Sequence, residues 1–173
     1  IDNLPGYDDG ARWVQAAGAT LPVQLFGKLD GANVLDVCAA PGGKTAQLLC
    51  GGANVTAIDI SNVRIRRLKE NLDRLGLKAE LIHADIKKWT TSRLFDFIFL
   101  DAPCSATGTI RRNPDVLIHK TYEDVQKLSI VQMEILQKVS KLVRPGGQLV
   151  YCTCSLQYEE GEAQVDRFLS KNT

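Results

Sequence analysis

Short apolar runs alternate along this chain with longer stretches whose apolar residues recur at helical spacing. Asn33 to Cys38, with Val34-Leu35-Asp36-Val37 at its centre, predicts a first buried strand. Val55 to Ile58 predicts a second, ending at Asp59, and Ala79 to Ala84 a third, ending at Asp85. Phe95 to Leu100 predicts a fourth, ending at Asp101, and Gln148 to Tyr151 a fifth. Helical spacing falls between them. Lys44 to Leu49 begins one helix, and Asn62 to Leu75 is amphipathic, with Val63, Leu68, Leu72 and Leu75 on the predicted buried face and Gly76 as C-cap. Thr121 to Val143 predicts a long helix that Arg144-Pro145-Gly146-Gly147 stops, and Glu159 to Leu169 a last one. Arg12 to Leu29 is weakly helical, and Ile1 to Gly10 reads as loop.

Strands alternating with helices imply right-handed crossovers and hence an α/β fold with a doubly wound, mostly parallel sheet. Ligands of such sheets bind at the carboxyl ends of the strands. The loop after Val37, then Asp59, Asp85, Asp101 and Cys154, all fall on that edge. Packing alone gives no reason for each apolar run to end in a polar group. The 173 residues suffice for one domain with a real core. Residues 1–173 are therefore expected to form one catalytic domain, with 1–30 an extension packing on it. A net charge of +1 gives no global attraction to a polyanion, so any nucleic-acid affinity must be local. Five cysteines without framework spacing point to reduced thiols and a cytoplasmic protein. No apolar stretch approaches the ~18 residues of a membrane span.

Cys38-Ala39-Ala40-Pro41-Gly42-Gly43-Lys44-Thr45 joins the first strand to a helix, with small residues that let a ligand approach the backbone. Gly-Lys-Thr suggests a phosphate-binding loop. That motif needs glycine where Cys38 stands, and the dinucleotide fingerprint is absent too. The remaining reading is a site for a nucleoside bearing an amino-acid tail, such as S-adenosylmethionine. Asp59 sits where a carboxylate meets ribose hydroxyls, unless it caps the next helix, a role Ser61 can fill. Asp85 is placed to accept from an adenine amino group.

Asp101-Ala102-Pro103-Cys104 and Thr153-Cys154-Ser155 set two thiols behind two strands. An exocyclic amine has its own lone pair to take a methyl group, whereas cytosine C5 is a poor nucleophile. Thiolate addition at C6 with protonation at N3 makes C5 enamine-like, which calls for a cysteine and a carboxyl group. Cys152 reads as a small core residue. Metal ligation is not expected, since there is no Cys-x-x-Cys pair and His83 and His119 lie at no ligand spacing. Arg111 and Arg112 are candidates for gripping phosphates beside a target base. The charges of Arg64, Arg66, Arg67 and Lys69 read mostly as a solvated face.

Together these motifs resemble the Sun/Fmu (RsmB-like) family of RNA (cytosine-5) methyltransferases. The resemblance rests on Asp36 to Thr45, Asp101-Ala102-Pro103-Cys104-Ser105, Arg111-Arg112-Asn113-Pro114-Asp115, Thr153-Cys154-Ser155 and the Val14-Gln15 pair, in matching order. It implies a Rossmann-like class I fold with S-adenosylmethionine held by Cys38, Ala39, Ala40, Pro41, Gly42, Gly43, Lys44, Asp59, Asp85 and Asp101. It further implies Cys154 as nucleophile, Cys104 as the thiol assisting product release, and ribosomal RNA, of the small subunit, as substrate. Departures from the family pattern are Ala16 for Asp, Ala106 for Gly, and Tyr158 and Gly161 within the segment that commonly reads Pro-Glu-Glu-Asn. The family's final strand pair and N-terminal RNA-binding domain are not found, so the chain reads as cut from something longer. Such a piece is expected to bind cofactor yet methylate poorly. Three rival readings stand beside this one: a DNA cytosine-5 methyltransferase attacking through Cys104, an NTPase built on Gly42 to Thr45, and a scaffold that only holds RNA.

Overall fold

The computed structural model describes residues 5–172. Five strands form one parallel sheet: β1 (Asn33–Val37), β2 (Asn54–Asp59), β3 (Glu80–His83), β4 (Phe95–Asp101) and β5 (Val143–Cys152), in the order β3-β2-β1-β4-β5. α1 (Ala17–Gln24), α2 (Gly43–Cys50) and α3 (Asn62–Arg74) pack on one face, and α5 (Tyr122–Ser140) and α6 (Glu162–Leu169) on the other. A one-turn helix, α4 (Val116–His119), lies between β4 and α5. This is the doubly wound arrangement expected from the alternation.

Alternation within each strand divides the core. In β1, Val34 joins the α1–α3 side while Leu35 and Val37 join the α5 side. In β4, Phe97 and Phe99 meet Phe26, with ring centroids 5.1 and 6.1 Å apart, and Ile98 and Leu100 face the opposite layer. Phe26 and Val23 tie the N-terminal segment to the sheet. Gln15 reinforces that link. Its Nε2 donates to Ala19 O and to Gln47 Oε1 on α2, both at 3.0 Å.

Several element boundaries differ from the sequence expectation, each for a physical reason. The first helix is only Ala17–Gln24, because Gly18 and Pro22 weaken it and Gly27 turns the chain with φ +71°. Val63 is 63% exposed, and Ile65 takes the buried position beside Leu68 and Leu72. The long helix ends at Ser140, and Val143 already pairs with Phe95 in the sheet. Arg144 to Gly147 therefore does not separate helix from strand. It is an irregularity inside β5, where the register shifts between Phe95 and Phe97. A tight turn at Tyr158–Glu160 precedes the last helix, which starts at Glu162.

Ser61 accepts from Arg64 N and caps α3, and Gly76 follows the helix with φ +67°. Thr121 and Asp124 form a reciprocal capping box at the start of α5. Phe99 is fully buried between the N-terminal segment and the sheet. Phe99→Ala should cost about 3–5 kcal/mol of folding stability, read from urea unfolding, because the cavity left beside Phe26 has rigid walls.

Candidate active site

Parallel pairing carries the strand ends to one edge at a common level. Val37 pairs with Ile58 and Leu100, Asp59 with His83, and Asp101 with Cys152. The loop from Cys38 to Lys44 crosses the middle of this edge. Cys38 and Gly42 both take positive φ, +60° and +103°, so the loop folds back tightly enough to start α2 at Gly43. Two residues of α3 hold it down. The Arg64 guanidinium donates to Ala40 O, and Asn71 Nδ2 donates to Pro41 O at 2.8 Å. Arg64 is thus a loop anchor, which its place in a basic run did not reveal.

Asp59 is 2% exposed. It accepts from Ala40 N at 3.2 Å and from Ser61 N at 3.0 Å, with Arg64 at 3.6 Å. Beside it opens a cavity of about 360 Å³, walled by Ile58, Ile60, Ile86 and Ala102 and carrying the carboxylates of Asp59, Asp85 and Asp101. Cys104 and Cys154 also line it. Apolar walls carrying three carboxylates suit a flat base and a ribose, so the cavity fits the adenosine part of S-adenosylmethionine. Each carboxylate oxygen keeps a second lone pair for a hydroxyl or amine. Cys38 also lines this cavity, and burial, with Asp59 and Asp101 nearby, pushes its thiol up to about 12. It is a wall, not a nucleophile.

Asp101 is the hinge of the site. Lys44 Nζ donates to its Oδ2 at 2.5 Å, and Cys152 Sγ lies 3.6 Å from its Oδ1. Burial disfavours the charge on Lys44, but the Asp101 carboxylate outweighs it and raises the ammonium's pKa. Cys152 packs against the core on the α1–α3 side, as a small core residue does, and burial raises its pKa. Asp36 is fully buried, with Thr45 Oγ1 donating to its Oδ2 at 2.6 Å. Burial lifts its carboxyl to about 7.

The two candidate thiols converge. Cys104 Sγ and Cys154 Sγ lie 3.4 Å apart as free cysteines. The Cys104 thiol donating to Cys154 lowers Cys154 to about 7, against the cost of partial burial, while the same contact raises Cys104. Cys154 is exposed to a second cleft, lined also by Lys44, Asp101, Arg112 and Ala16. Arg112 therefore shares a cleft with Cys154, whereas Arg111 is exposed outside that lining. Ala106 adopts φ +61°, the left-handed conformation that explains a glycine there in the family pattern. Gly108 N donates to Cys154 O at 2.9 Å, and a Cβ at Gly108 would fall 2.7 Å from that oxygen. The sequence reading overlooked Gly108 and, with it, the buried polar residues Gln132 and Glu160 that adjoin the Cys104 loop.

Residues 23–173 match the family described as 16S rRNA methyltransferase RsmB/F. The chain belongs to this family. It is 43% identical over 177 residues to "Ribosomal RNA small subunit methyltransferase B" of Serratia proteamaculans, an alignment covering 99% of the chain and 41% of that protein. The chain thus spans about two fifths of the curated relatives' length. Among solved structures, PH0851 superimposes with a TM-score of 0.95 at 31% identity, covering 99% of this chain and 40% of that one. NSun6 from Pyrococcus horikoshii, solved with SFG, gives 0.90 at 32% identity over 99% of this chain and 45% of that one. The Rossmann-like, S-adenosylmethionine-dependent methyltransferase class expected from the motifs therefore holds.

Two predictions follow from the thiol geometry. Alkylation of Cys154 by iodoacetamide, resolved by peptide mass spectrometry, should reach half its limiting rate near pH 7. In Cys104→Ala the midpoint should rise towards the ordinary thiol value, because the thiol that donates to Cys154 is gone. Ala106→Gly should raise stability by about 1 kcal/mol in thermal unfolding, since only a side chain makes that φ costly.

Proposed function

We propose that this chain is the catalytic domain, residues 1–173, of a cytoplasmic enzyme that methylates C5 of a cytosine in small-subunit ribosomal RNA. The observation that carries the proposal is the pair of thiols 3.4 Å apart, opening on the cavity that holds Asp59, Asp85 and Asp101. The relatives' names supply the class of RNA. Among the described residues no helix is long and apolar enough to cross a membrane.

S-adenosylmethionine, when bound, supplies an electrophilic methyl group. Asp59 would accept from the ribose hydroxyls and Asp85 from the adenine amine, and Cys38 to Lys44, with Asp101, would hold the rest of the cofactor. Cys154 adds as thiolate to C6 of the cytosine, and the Asp101–Lys44 pair gives N3 a proton. That addition makes C5 nucleophilic enough to take the methyl group. Once Cys154 is bonded to C6, the hydrogen bond that chiefly raises Cys104 is gone; Cys104 then gives its proton to solvent through the open cleft and accepts the proton leaving C5. Cys154 is then expelled and the N3 proton returns to the Asp101–Lys44 pair. The balance is cytosine plus S-adenosylmethionine to 5-methylcytosine, S-adenosylhomocysteine and one proton. Arg112, with Arg111 beside it, holds phosphates flanking the target base. The base itself must leave its stack to reach the cleft.

Attack through Cys104, as in the DNA-directed reading, is disfavoured by the direction of the thiol shifts: Cys154 is lowered and Cys104 raised. In the full-length protein, Cys154→Ala should reduce turnover at least ~1,000-fold and abolish covalent adducts with 5-fluorocytosine RNA. Cys104→Ala should instead accumulate protein bound to unmodified-base RNA, seen as a slower band in denaturing gels. Near-normal turnover by Cys154→Ala would show the assignment to be wrong.

A further inference from the structure

Glu160 is a fully buried carboxylate, an arrangement that needs a reason. Among the described residues no lysine or arginine lies within ion-pair distance of it. Instead three donors converge on it. Ser105 N donates to Oε1 at 2.9 Å, Gln132 Nε2 donates to the same oxygen at 3.0 Å, and the Ser105 hydroxyl donates to Oε2. Gln132 Nε2 also donates to Pro103 O at 2.9 Å. The residues on both sides of Cys104 are therefore tied, one directly and one through Gln132, to a single carboxylate. Tyr151 OH donates to Glu160 O at 2.7 Å and fixes the backbone that carries it.

The network continues to the other thiol. Ser105 Oγ lies 3.0 Å from Ser155 Oγ, next to Cys154 in the chain, and Ser155 Oγ lies 3.1 Å from Thr107 Oγ1. Gln132, Ser105 and Glu160 are each inaccessible to solvent. Beyond the strand ends the two loops are tied by Gly108 N donating to Cys154 O and Leu156 N donating to Thr107 Oγ1, and this buried cluster adds the side-chain bonds nearest Cys104. We propose that Glu160 is a positioning residue: by holding Pro103–Ser105 against Ser155, it fixes the Cys104 thiol in hydrogen-bonding reach of Cys154. The inference rests on the thiol roles proposed above and touches neither cofactor nor RNA.

Its chemistry separates two substitutions. Glu160→Gln keeps an oxygen for Ser105 N and Gln132, and its amide can donate to the Ser105 hydroxyl, which then donates to Ser155. Glu160→Ala removes every acceptor at once. The readout is the pH profile of Cys154 alkylation in the full-length protein, resolved by mass spectrometry. Cys104, Cys152, Asp101, Lys44 and Arg112 are the titratable and charged groups facing Cys154, and none is altered by either substitution. Glu160→Ala should shift the Cys154 midpoint upward by about one pH unit, a tenfold loss of thiolate at fixed pH. It should lower kcat at least tenfold with KM for RNA and for S-adenosylmethionine within about threefold. Glu160→Gln should restore both to within about threefold, and Glu134→Gln, on the exposed Lys87 pair, should change neither.

A Glu160→Ala profile superimposable on the parent's would overturn the proposal, even if the melting temperature falls, because the carboxylate would then only support folding. If Glu160→Ala does not fold, Gln132→Met removes the donor to Pro103 and Glu160 and is expected to shift the midpoint in the same direction. An unshifted Gln132→Met then decides against the proposal. The alkylation profile does not depend on methyl transfer, so failure here is distinguishable from failure of the Cys154 assignment, which the turnover of Cys154→Ala reads.

Discussion

The parallel register of β4 against β5, with Asp101 opposite Cys152, governs the arrangement of the whole site. Both chains leave the sheet at the same level, so the two loops that follow must run side by side. Cys104 lies three residues beyond Asp101 and Cys154 two beyond Cys152, and their sulfurs end 3.4 Å apart. A slip of one residue would turn the β5 side chains to the opposite face and carry Cys152 away from Asp101. The irregularity at Arg144–Gly147 absorbs the mismatch at the other end of β5, leaving Gln148 to Cys152 in register.

On that frame, electrostatics divides labour among similar groups. Asp59, Asp101 and Asp36 are all carboxyls near one edge, yet each has a different environment. Asp59 is held by backbone N–H donors, Asp101 by the Lys44 ammonium, and Asp36 by one hydroxyl in a dry interior. The cysteines divide likewise. Cys38 and Cys152 are raised by burial beside carboxylates, whereas Cys154 alone receives a thiol donor and faces an open cleft. Position, not residue type, sets one sulfur apart from the others.

Much of the fold was legible because a buried parallel sheet writes continuous apolar runs, and the five runs ending in Asp59, Asp85, Asp101 and Cys154, or in the loop at Cys38, were of that kind. Boundaries were less so. Val63 does not belong on the buried face: its stripe runs through Arg67 and Glu70, whereas helical spacing back from Leu68 and Leu72 leads to Ile65, the residue the sheet buries. Pro145-Gly146-Gly147 was read as a terminator, which ignores that an edge position tolerates both residues within an irregular strand. In the site, the motif residues could be found because their chemistry is distinctive. Gln132 sits among core positions of an amphipathic helix and Glu160 in a polar segment. Glu160 matches the Pro-Glu-Glu-Asn pattern of the family, but nothing in the sequence gives it or Gln132 a task until Ser105 and Pro103 are seen to need partners.

Asp101 stands in the wall between two openings, one lined by Asp59 and Ile86 and the other by Arg112 and Ala16. A charge entering either opening is felt by the same carboxylate–ammonium pair. Linkage then demands reciprocity: whatever factor an occupant of the first opening applies to affinity in the second is returned unchanged in the other direction. A shared electric field across a single side chain would carry such an exchange with no backbone movement required.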